Sequence, residues 1–275
     1  MSTINTNMSS LNAQRNVSKS SNDLQTSMTR LSSGLRVNSA KDDAAGLSIA
    51  TKMDSQIRGM SQASRNANDG ISMIQTADGA MSNISDALQR MRELAVQASN
   101  GTNGTDETGN IGTEMSALND EIKRISDTTS FNGKTLIKAG AKVDVDIQVG
   151  ANKDEAIKVS FADSASYAKF DAAADLKVDS PTNAGLTIAK LDDALKALNT
   201  ERASLGTAQN RMGYAISNLS SSIENQSAAK SRIMDTDYAA ETSKLSRSQV
   251  LQQAGTAMLA QANSAPNSVM SLLRG

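Results

Sequence analysis

Side chains that could do chemistry are few in this sequence of 275 residues. It contains no His and no Cys, so thiol nucleophiles, the Ser-His-Asp triad, the usual zinc sites and the Glu-x-x-His di-iron motif all lack a required group. Asp42 and Asp43 adjoin Lys41, but neighbouring side chains diverge on a helix. We therefore expect a cap or an ion pair there, and no catalytic residue, metal site, cofactor or enzyme activity anywhere in the chain.

Methionines form a second candidate set, because a stripe of thioethers can bind copper. They accompany no His or Cys, and most of them fall on the apolar side of a helical pattern, where Met packs well into irregular gaps. Core packing is the favoured interpretation of these residues, namely Met53, Met60, Met73, Met81 and Met91.

Composition excludes several classes of partner. The net charge is -1, only 2% of the residues are aromatic and 38% are hydrophobic. No basic field exists to hold a phosphate backbone, so nucleic acid is not expected as a partner. No run of about eighteen apolar residues is present, so we expect no membrane insertion, and the start MSTINTNMSS lacks the features of a cleavable signal peptide.

Helical periodicity predicts the secondary structure of most of the chain. Apolar residues at steps of three and four predict a helix from about Leu47 to Ser99, roughly 80 Å long at 1.5 Å per residue. A polar connector precedes it at 34–46. The Gly- and Asn-rich run Gly101–Asn110 predicts a loop, and a shorter antiparallel helix follows it through Ile125.

The second half begins with alternating residues. Val143 to Val149 and Ile157 to Phe161 alternate between apolar and polar, which predicts a β-hairpin with one apolar face. The pattern is lost between Ala162 and Gly185, which we interpret as a surface segment. Apolar periodicity returns at Ile188 for a third helix, and a C-terminal helix is predicted from about Asp237. The fold class is mainly α, a long antiparallel helical bundle and coiled coil with a small β-hairpin region.

Both ends of the chain carry a helical seam of apolar residues among Ser, Asn and Gln. Ordering about forty residues costs roughly 1–2 kcal/mol each, which a few Leu and Met side chains at roughly 1.5–3 kcal/mol each do not offset. The ends therefore need partners, and copies of the same chain are the expected ones. The predicted subunit-assembly seam consists of Leu24, Met28, Leu31, Leu35, Leu245, Leu251 and Met258.

These patterns predict a chain whose two ends form one domain. Residues 1–44 with 233–275 form the terminal coiled coil, and 45–161 with 186–232 form a helical bundle that carries the hairpin at about 141–161. Residues 162–185 are expected to be a short surface insertion and not a separate domain.

Long motifs at both ends then identify a family. LSSGLRVNSAKDDAAGLSIA, QRMRELAVQASNGT, SFNGKTL, IQVGAN, SRIMDTDYAAETSKLSR and QVLQQAGTAMLAQAN occur in that order, and the chain resembles bacterial flagellin over almost its whole length. The short insertion makes it similar to a minimal form that has only the two inner domains.

The resemblance implies a function and partners. The chain would polymerise into the flagellar filament, a hollow helical propeller for swimming motility, by coupled folding of disordered termini. It would be secreted through the flagellar type III export apparatus with an export chaperone, and it would meet the filament cap and the hook-junction proteins outside the cell.

The resemblance also implies a recognition surface. In relatives, the positions that match Gln89, Arg90, Leu94 and Glu114 are recognised by the toll-like flagellin receptor of vertebrate hosts and make axial contacts between subunits. The alternative for these residues is an ordinary solvated face of a bundle helix. The serines at 164, 166 and 180 could bear O-linked glycans, as in some relatives.

Three other functions compete with that of a filament subunit. A hook-filament junction protein shares flagellin-like ends, but the IQVGAN and SLLRG motifs favour flagellin. A flagellin with a zinc-protease insertion needs an H-E-x-x-H motif, which a chain without His lacks. A cofactor-binding four-helix bundle lacks ligands, and its terminal helices would be too polar for a closed bundle.

Overall fold

The computed structural model describes residues 6–138, 140–161, 163, 165–168, 170 and 176–274. They form two units, which we call the terminal unit (Met1–Ser55 with Asn225–Gly275) and the central unit (Gln56–Glu224). The helices are α1 (Met8–Ser33), α2 (Ala44–Ala98), α3 (Thr105–Thr128), α4 (Ala165–Ala168), α5 (Pro181–Met234) and α6 (Tyr238–Arg274). The strands are β1 (Ser130–Phe131), β2 (Lys134–Thr135), β3 (Val143–Gln148) and β4 (Ala156–Phe161). The predicted mainly α fold with a small hairpin is confirmed.

Aspartates cap two of the long helices. At the start of α2, Asp43 Oδ1 accepts a hydrogen bond from the Gly46 amide at 2.8 Å, and Asp42 Oδ2 accepts one from the Ser39 amide at 2.9 Å. Hydrogen bonds from the side chain and amide of Ser39 hold the pKa of Asp42 below its usual value. The cap predicted at Asp42 and Asp43 is confirmed. At α6, Asp237 Oδ1 accepts from two amides at 2.9 and 3.1 Å.

The core of the central unit lies among α2, α3, α5 and the hairpin. One apolar stripe of α2 contributes residues from Met73 to Ala98, and α5 contributes residues from Ala184 to Met212. The predicted packing role of the methionines is confirmed at four positions, where the exposed fraction is 7% or less, namely Met60, Met73, Met81 and Met91.

The hairpin forms as the alternation predicts. Strands β3 and β4 pair antiparallel, with Val145 opposite Val159 and Ile147 opposite Ile157. Val159 is buried at 1% exposure and the half-buried β3 residues pack beside it on the core, which places the apolar face inward. This prediction is confirmed.

The predicted loop at Gly101–Asn110 is wrong over its second half. Helix α3 already begins at Thr105, and the connection from α2 covers only residues 99–104. The carboxylate of Glu107 accepts a hydrogen bond from the Gly104 amide at 3.0 Å, which satisfies a donor at the start of the helix. The Gly and Asn content concealed this start signal.

The prediction of a surface segment at 162–185 is wrong at four of the described positions. The residues buried there have exposed fractions of 0–4% and belong to the core of the central unit, namely Tyr167, Leu176, Val178 and Ala184. Helix α5 also begins earlier than expected. Pro181 occupies its first position, which suits a residue without an amide donor, and Ser180 Oγ accepts from the Asn183 amide at 3.3 Å.

A second, minimal hairpin was not predicted. Strands β1 and β2 pair antiparallel around Asn132 and Gly133, whose φ angles are 49° and 77°. Two successive positive φ values form the type I′ turn that an Asn-Gly pair favours. The Asn-Gly dipeptide was the sequence signal that could have predicted this hairpin.

Candidate functional site

Helices α1 and α6 pair antiparallel within the terminal unit. Near one end of the pair, Ser10 Oγ donates to Asn263 Oδ1 at 2.6 Å. Near the other end, Ser27 Oγ donates to Glu241 Oε1 at 2.7 Å. Residue numbers thus rise along α1 as they fall along α6, which is the arrangement of an antiparallel coiled coil.

The facing sides of this pair follow a heptad repeat but carry few large apolar groups. On α1 the buried or half-buried residues at steps of three and four are Ser10, Ala13, Val17, Ser20, Leu24, Ser27 and Leu31. On α6 they are Glu241, Leu245, Ser248, Gln252, Gly255, Leu259 and Ala262. More than half of the two sets is polar or small, so the burial of apolar surface between the two helices is limited.

The seven residues of the predicted assembly seam divide between two sides of the helices. The half-buried ones are Leu24, Leu31, Leu35 and Leu245. The exposed ones are Met28 at 56%, Leu251 at 52% and Met258 at 66%. Sequence periodicity placed all seven on one seam because Leu and Met stand out on the two helices, whereas the α1–α6 interface also uses Ser, Gln and Gly.

Large apolar side chains collect on the solvent side of the pair. We call this set the outward face; its residues are Met8, Leu11, Met28, Val250, Leu251 and Met258, with exposed fractions of 47–66%. On α6 the residues Val250, Leu251 and Met258 follow helical spacing beside Ala254. Exposed apolar side chains grouped along one helix in this way are typical of protein interaction sites.

The chain segments next to the helix pair are tied together by backbone hydrogen bonds. The Arg36 amide donates to Met234 O at 2.6 Å, and the Thr236 amide donates to Gly34 O at 3.0 Å. Gly34 ends α1 with a φ of 72°, a conformation that favours glycine. These bonds join the connector that follows α1 to the connector that precedes α6.

The other predicted surface is only partly exposed. Arg90 lies on α2 and donates to Glu114 Oε1 on α3 at 2.9 Å, and both side chains are about half exposed, at 52% and 47%. Bonds to Glu114 and Glu93 raise the pKa of Arg90 further above its usual value. Gln89, also exposed, donates to Ser85 Oγ at 3.2 Å.

Leu94 does not join this patch. Its side chain is 2% exposed and packs in the core of the central unit. It is therefore absent from the surface that Gln89, Arg90 and Glu114 form. We call those three residues the acid-base patch. A second exposed pair on α2, Arg92 with Asp192 of α5 at 2.6 Å, provides a comparison on the same helix.

Other kinds of site find no support in the described part of the chain. Within it, no group of three or more Asp and Glu could hold a metal ion. No described helix is long and apolar enough to cross a membrane. Of the serines considered for glycans, Ser180 caps α5, whereas Ser164 and the side chain of Ser166 lie outside the described residues.

Known proteins resemble this chain from end to end. The family description "Bacterial flagellin N-terminal helical region" matches residues 4–141, and "Bacterial flagellin C-terminal helical region" matches residues 188–273. A flagellin of Halalkalibacterium halodurans is 47% identical over 98% of this chain and 99% of the relative. Flagellin B of Vibrio cholerae is 36% identical over 98% and 99%. The crystal structure of Bacillus cereus flagellin is 33% identical, with a TM-score of 0.50 over 60% of this chain and 94% of that one.

Proposed function

Because this chain belongs to the bacterial flagellin family and is a structural subunit of the flagellar filament, we propose that its outward face is the surface through which the terminal helix pair assembles with other copies. Flagellins are structural proteins that polymerise with themselves and not enzymes, and the filament is extracellular. The proposal concerns how this particular chain does so.

The single observation that carries the proposal is the exposure of the outward face. Val250, Leu251 and Met258 are 52–66% exposed on one helix, although burial of such side chains contributes roughly 1.5–3 kcal/mol each. An identical chain docked against them would remove this surface from water. A contact between different surfaces of identical subunits builds an open helix when its rotation does not close a ring.

The thin α1–α6 interface supports coupled folding and assembly. Its polar and small residues offer little to offset the entropy of ordering two helices. We propose that the terminal segments are largely disordered in the free subunit and fold on docking at the growing tip, where mass action of assembly stabilises them.

The predicted division of the chain into domains belongs to the same proposal. Residues 1–44 with 233–275 would form the inner filament core, and 45–161 with 186–232 the surrounding shell. Disordered ends would also suit delivery by an export chaperone to the type III export apparatus, secretion through the hollow filament, and contact with cap and hook-junction proteins.

A charge-insertion experiment tests the assembly surface. Leu251→Glu combined with Met258→Glu places two carboxylates on the outward face, and we expect no filaments by negative-stain electron microscopy after concentration with a precipitant salt. The control is Gln253→Glu, a charge at an exposed position of the same helix, which should still polymerise. Normal filaments from the double variant would overturn the proposal.

For the acid-base patch we propose recognition by the toll-like flagellin receptor of vertebrate hosts, with axial subunit contacts as its role in the filament. The support is the family resemblance together with the exposure of Arg90 and Glu114. Arg90→Ala with Glu114→Ala should weaken receptor binding of the soluble full chain at least tenfold. The matched control, Arg92→Ala, removes an equally exposed arginine pair from the same helix and should bind normally; equal loss in both would contradict the assignment.

A further inference from the structure

We propose that Glu241 sets the register in which α1 pairs with α6. This inference concerns the facing sides of the pair, whereas the proposed function concerns the outward face, and it rests on the proposed function only in that filaments are used to test it. The role is one of positioning: Glu241 would decide which residues of the two helices stand opposite each other.

Burial of a carboxylate at this position is the first observation. Glu241 is 3% exposed between α1 and α6. It accepts a hydrogen bond from Ser27 at 2.7 Å across the interface and one from Lys244 at 3.1 Å within its own helix. Burial raises the pKa of Glu241, but these bonds and the charges of Lys244 and Arg30 outweigh that effect and lower it overall. A buried charge needs such partners, and α1 supplies Ser27 and Arg30 to Glu241 only in this register.

The connector bonds at Gly34 and Arg36 and the Ser10–Asn263 bond hold the two ends of the pair, but the other facing side chains do not specify a register well. The facing positions repeat Ser, Ala, Gly and Gln at heptad spacing, with Leu24 opposite the region of Leu245 and Val17 against Gly255. A shift by one heptad would again place small and polar residues opposite one another. A single buried polar group can select one register among similar ones in a coiled coil.

A shift by seven residues would remove the two partners that α1 supplies to Glu241, Ser27 and Arg30. In one direction Ser20 would replace Ser27, but Asp23 would replace Arg30, so a like charge would take the place of an opposite one. In the other direction Gly34 would replace Ser27, and α1 has already ended at Ser33. Only the observed register gives the carboxylate a hydroxyl donor on α1 with Arg30 beside it, whereas Lys244 stays near on α6 in every register.

Engineered disulfides can report the register, since the chain has no cysteine of its own. A Cβ placed on Gly255 would lie 3.9 Å from Val17 Cβ, within the range that a disulfide requires. Val17→Cys with Gly255→Cys therefore reports the observed register. Val17→Cys with Ser248→Cys, or with Ala262→Cys, reports shifts of one heptad in either direction.

The test combines these pairs with changes at the proposed determinant. Filaments of each full-length variant are oxidised, and the cross-linked fraction is measured by gel electrophoresis without reductant. With Glu241 intact, we expect at least tenfold more cross-linking at 17/255 than at 17/248 or 17/262. Ser27→Ala with Glu241→Leu should reduce that preference at least fivefold, whereas Glu241→Gln, which can still accept from Ser27, should retain most of it.

Two further variants separate register from stability. Leu245→Ala weakens packing in the same interface but leaves Glu241 in place, so the preference for 17/255 should persist. Asp23→Arg with Arg30→Asp moves the favourable charge by one heptad, and cross-linking at 17/248 should rise. The charge exchange predicts a gain of cross-linking at 17/248, so it remains informative if the Ser27→Ala, Glu241→Leu variant fails to assemble.

The outcomes distinguish this inference from the proposed function. An unchanged preference for 17/255 in the Ser27→Ala, Glu241→Leu variant, or no gain at 17/248 after the charge exchange, overturns the role of Glu241. Failure of the outward-face charges to block polymerisation overturns the assembly proposal and leaves the register result standing, because cross-linking reports only α1 against α6.

Discussion

The terminal and central units bury different kinds of side chain between helices of similar appearance. In the central unit, α2 contributes Met81, Ile84 and Leu88 at 0% exposure, and its core is completed within one chain. In the terminal unit, the α1–α6 interface buries Ser27, Glu241 and Ser248, while Leu251 and Met258 remain exposed. Long helices alone therefore do not make a self-sufficient fold; the location of the largest apolar groups decides whether a helix pair is complete in one chain.

Truncation of one leucine in each unit tests this difference between them most directly. Leu88→Ala should lower the free energy of unfolding of the soluble full chain by about 3 kcal/mol, because it leaves a cavity in a closed core. Leu251→Ala should change it by less than about 0.5 kcal/mol, because that side chain is exposed. Urea denaturation followed by circular dichroism measures both, and equal losses would show that the Leu251 side chain is buried in the free subunit.

Removal of a helix cap should cost less free energy than truncation of a core leucine, and its consequence should again differ between the two units. Removing the cap of α6 with Asp237→Ala should cost about 1 kcal/mol, which raises the critical concentration for polymerisation by about fivefold. Removing the cap of α5 with Ser180→Ala should instead lower the unfolding free energy of the soluble chain. A rise in critical concentration for the α5 variant alone would reverse the assignment of the two helices.

Acid should act on the terminal unit before the central one. The pKa of Glu241 is lowered in the folded state, so its stabilising contribution is present above its unfolded pKa of about 4.3 and is lost as the pH falls through the folded value. The lowered pKa values of Asp144 and Glu155 in the central unit belong to carboxylates at the surface, where solvent screens the interaction. Filaments titrated from pH 7 downward should release subunits whose central unit is still helical, and Glu241→Gln should reduce the slope of this loss.

The smallest expected effect is at exposed ion pairs of the central unit. Arg90→Ala and Arg92→Ala each remove a surface pair, at 52% and 45% side-chain exposure, and such pairs add little stability. The thermal midpoint of the soluble chain should be unchanged in both. A clear decrease would mean that the acid-base patch has a structural role, and it would weaken its use as a recognition surface.

Periodicity predicted the parts of the fold in which one strong pattern runs long. The helix predicted from about Leu47 to Ser99 matches α2 to within a few residues at each end, and the alternation at Val143–Val149 gave β3. It failed where the signal is short or local. Thr105–Asn110 is helical because Glu107 satisfies the first amide, and Tyr167 is buried although no periodic pattern surrounds it.

For the candidate site, the sequence predicted the two terminal helices but not which side of each helix lies in the α1–α6 interface. Leu245 lies against α1 while Leu251 faces solvent, because the α1–α6 interface follows a heptad repeat that includes Glu241, Ser248 and Gly255. A polar residue on a facing position looks identical in sequence to one on a solvated face. Likewise Leu94 directly follows two exposed residues in sequence, Arg92 and Glu93, but helical spacing turns it into the core.

The short connection at residues 99–104 offers a place for a fluorescent label. A Cβ on Gly101 would meet no heavy atom within 4 Å, and the chain has no other thiol to compete for a maleimide dye. Gly101→Cys would therefore attach one fluorophore per subunit, at a site remote in sequence from both terminal helices. Labelled subunits would allow the growth of a single filament to be followed by light microscopy in real time.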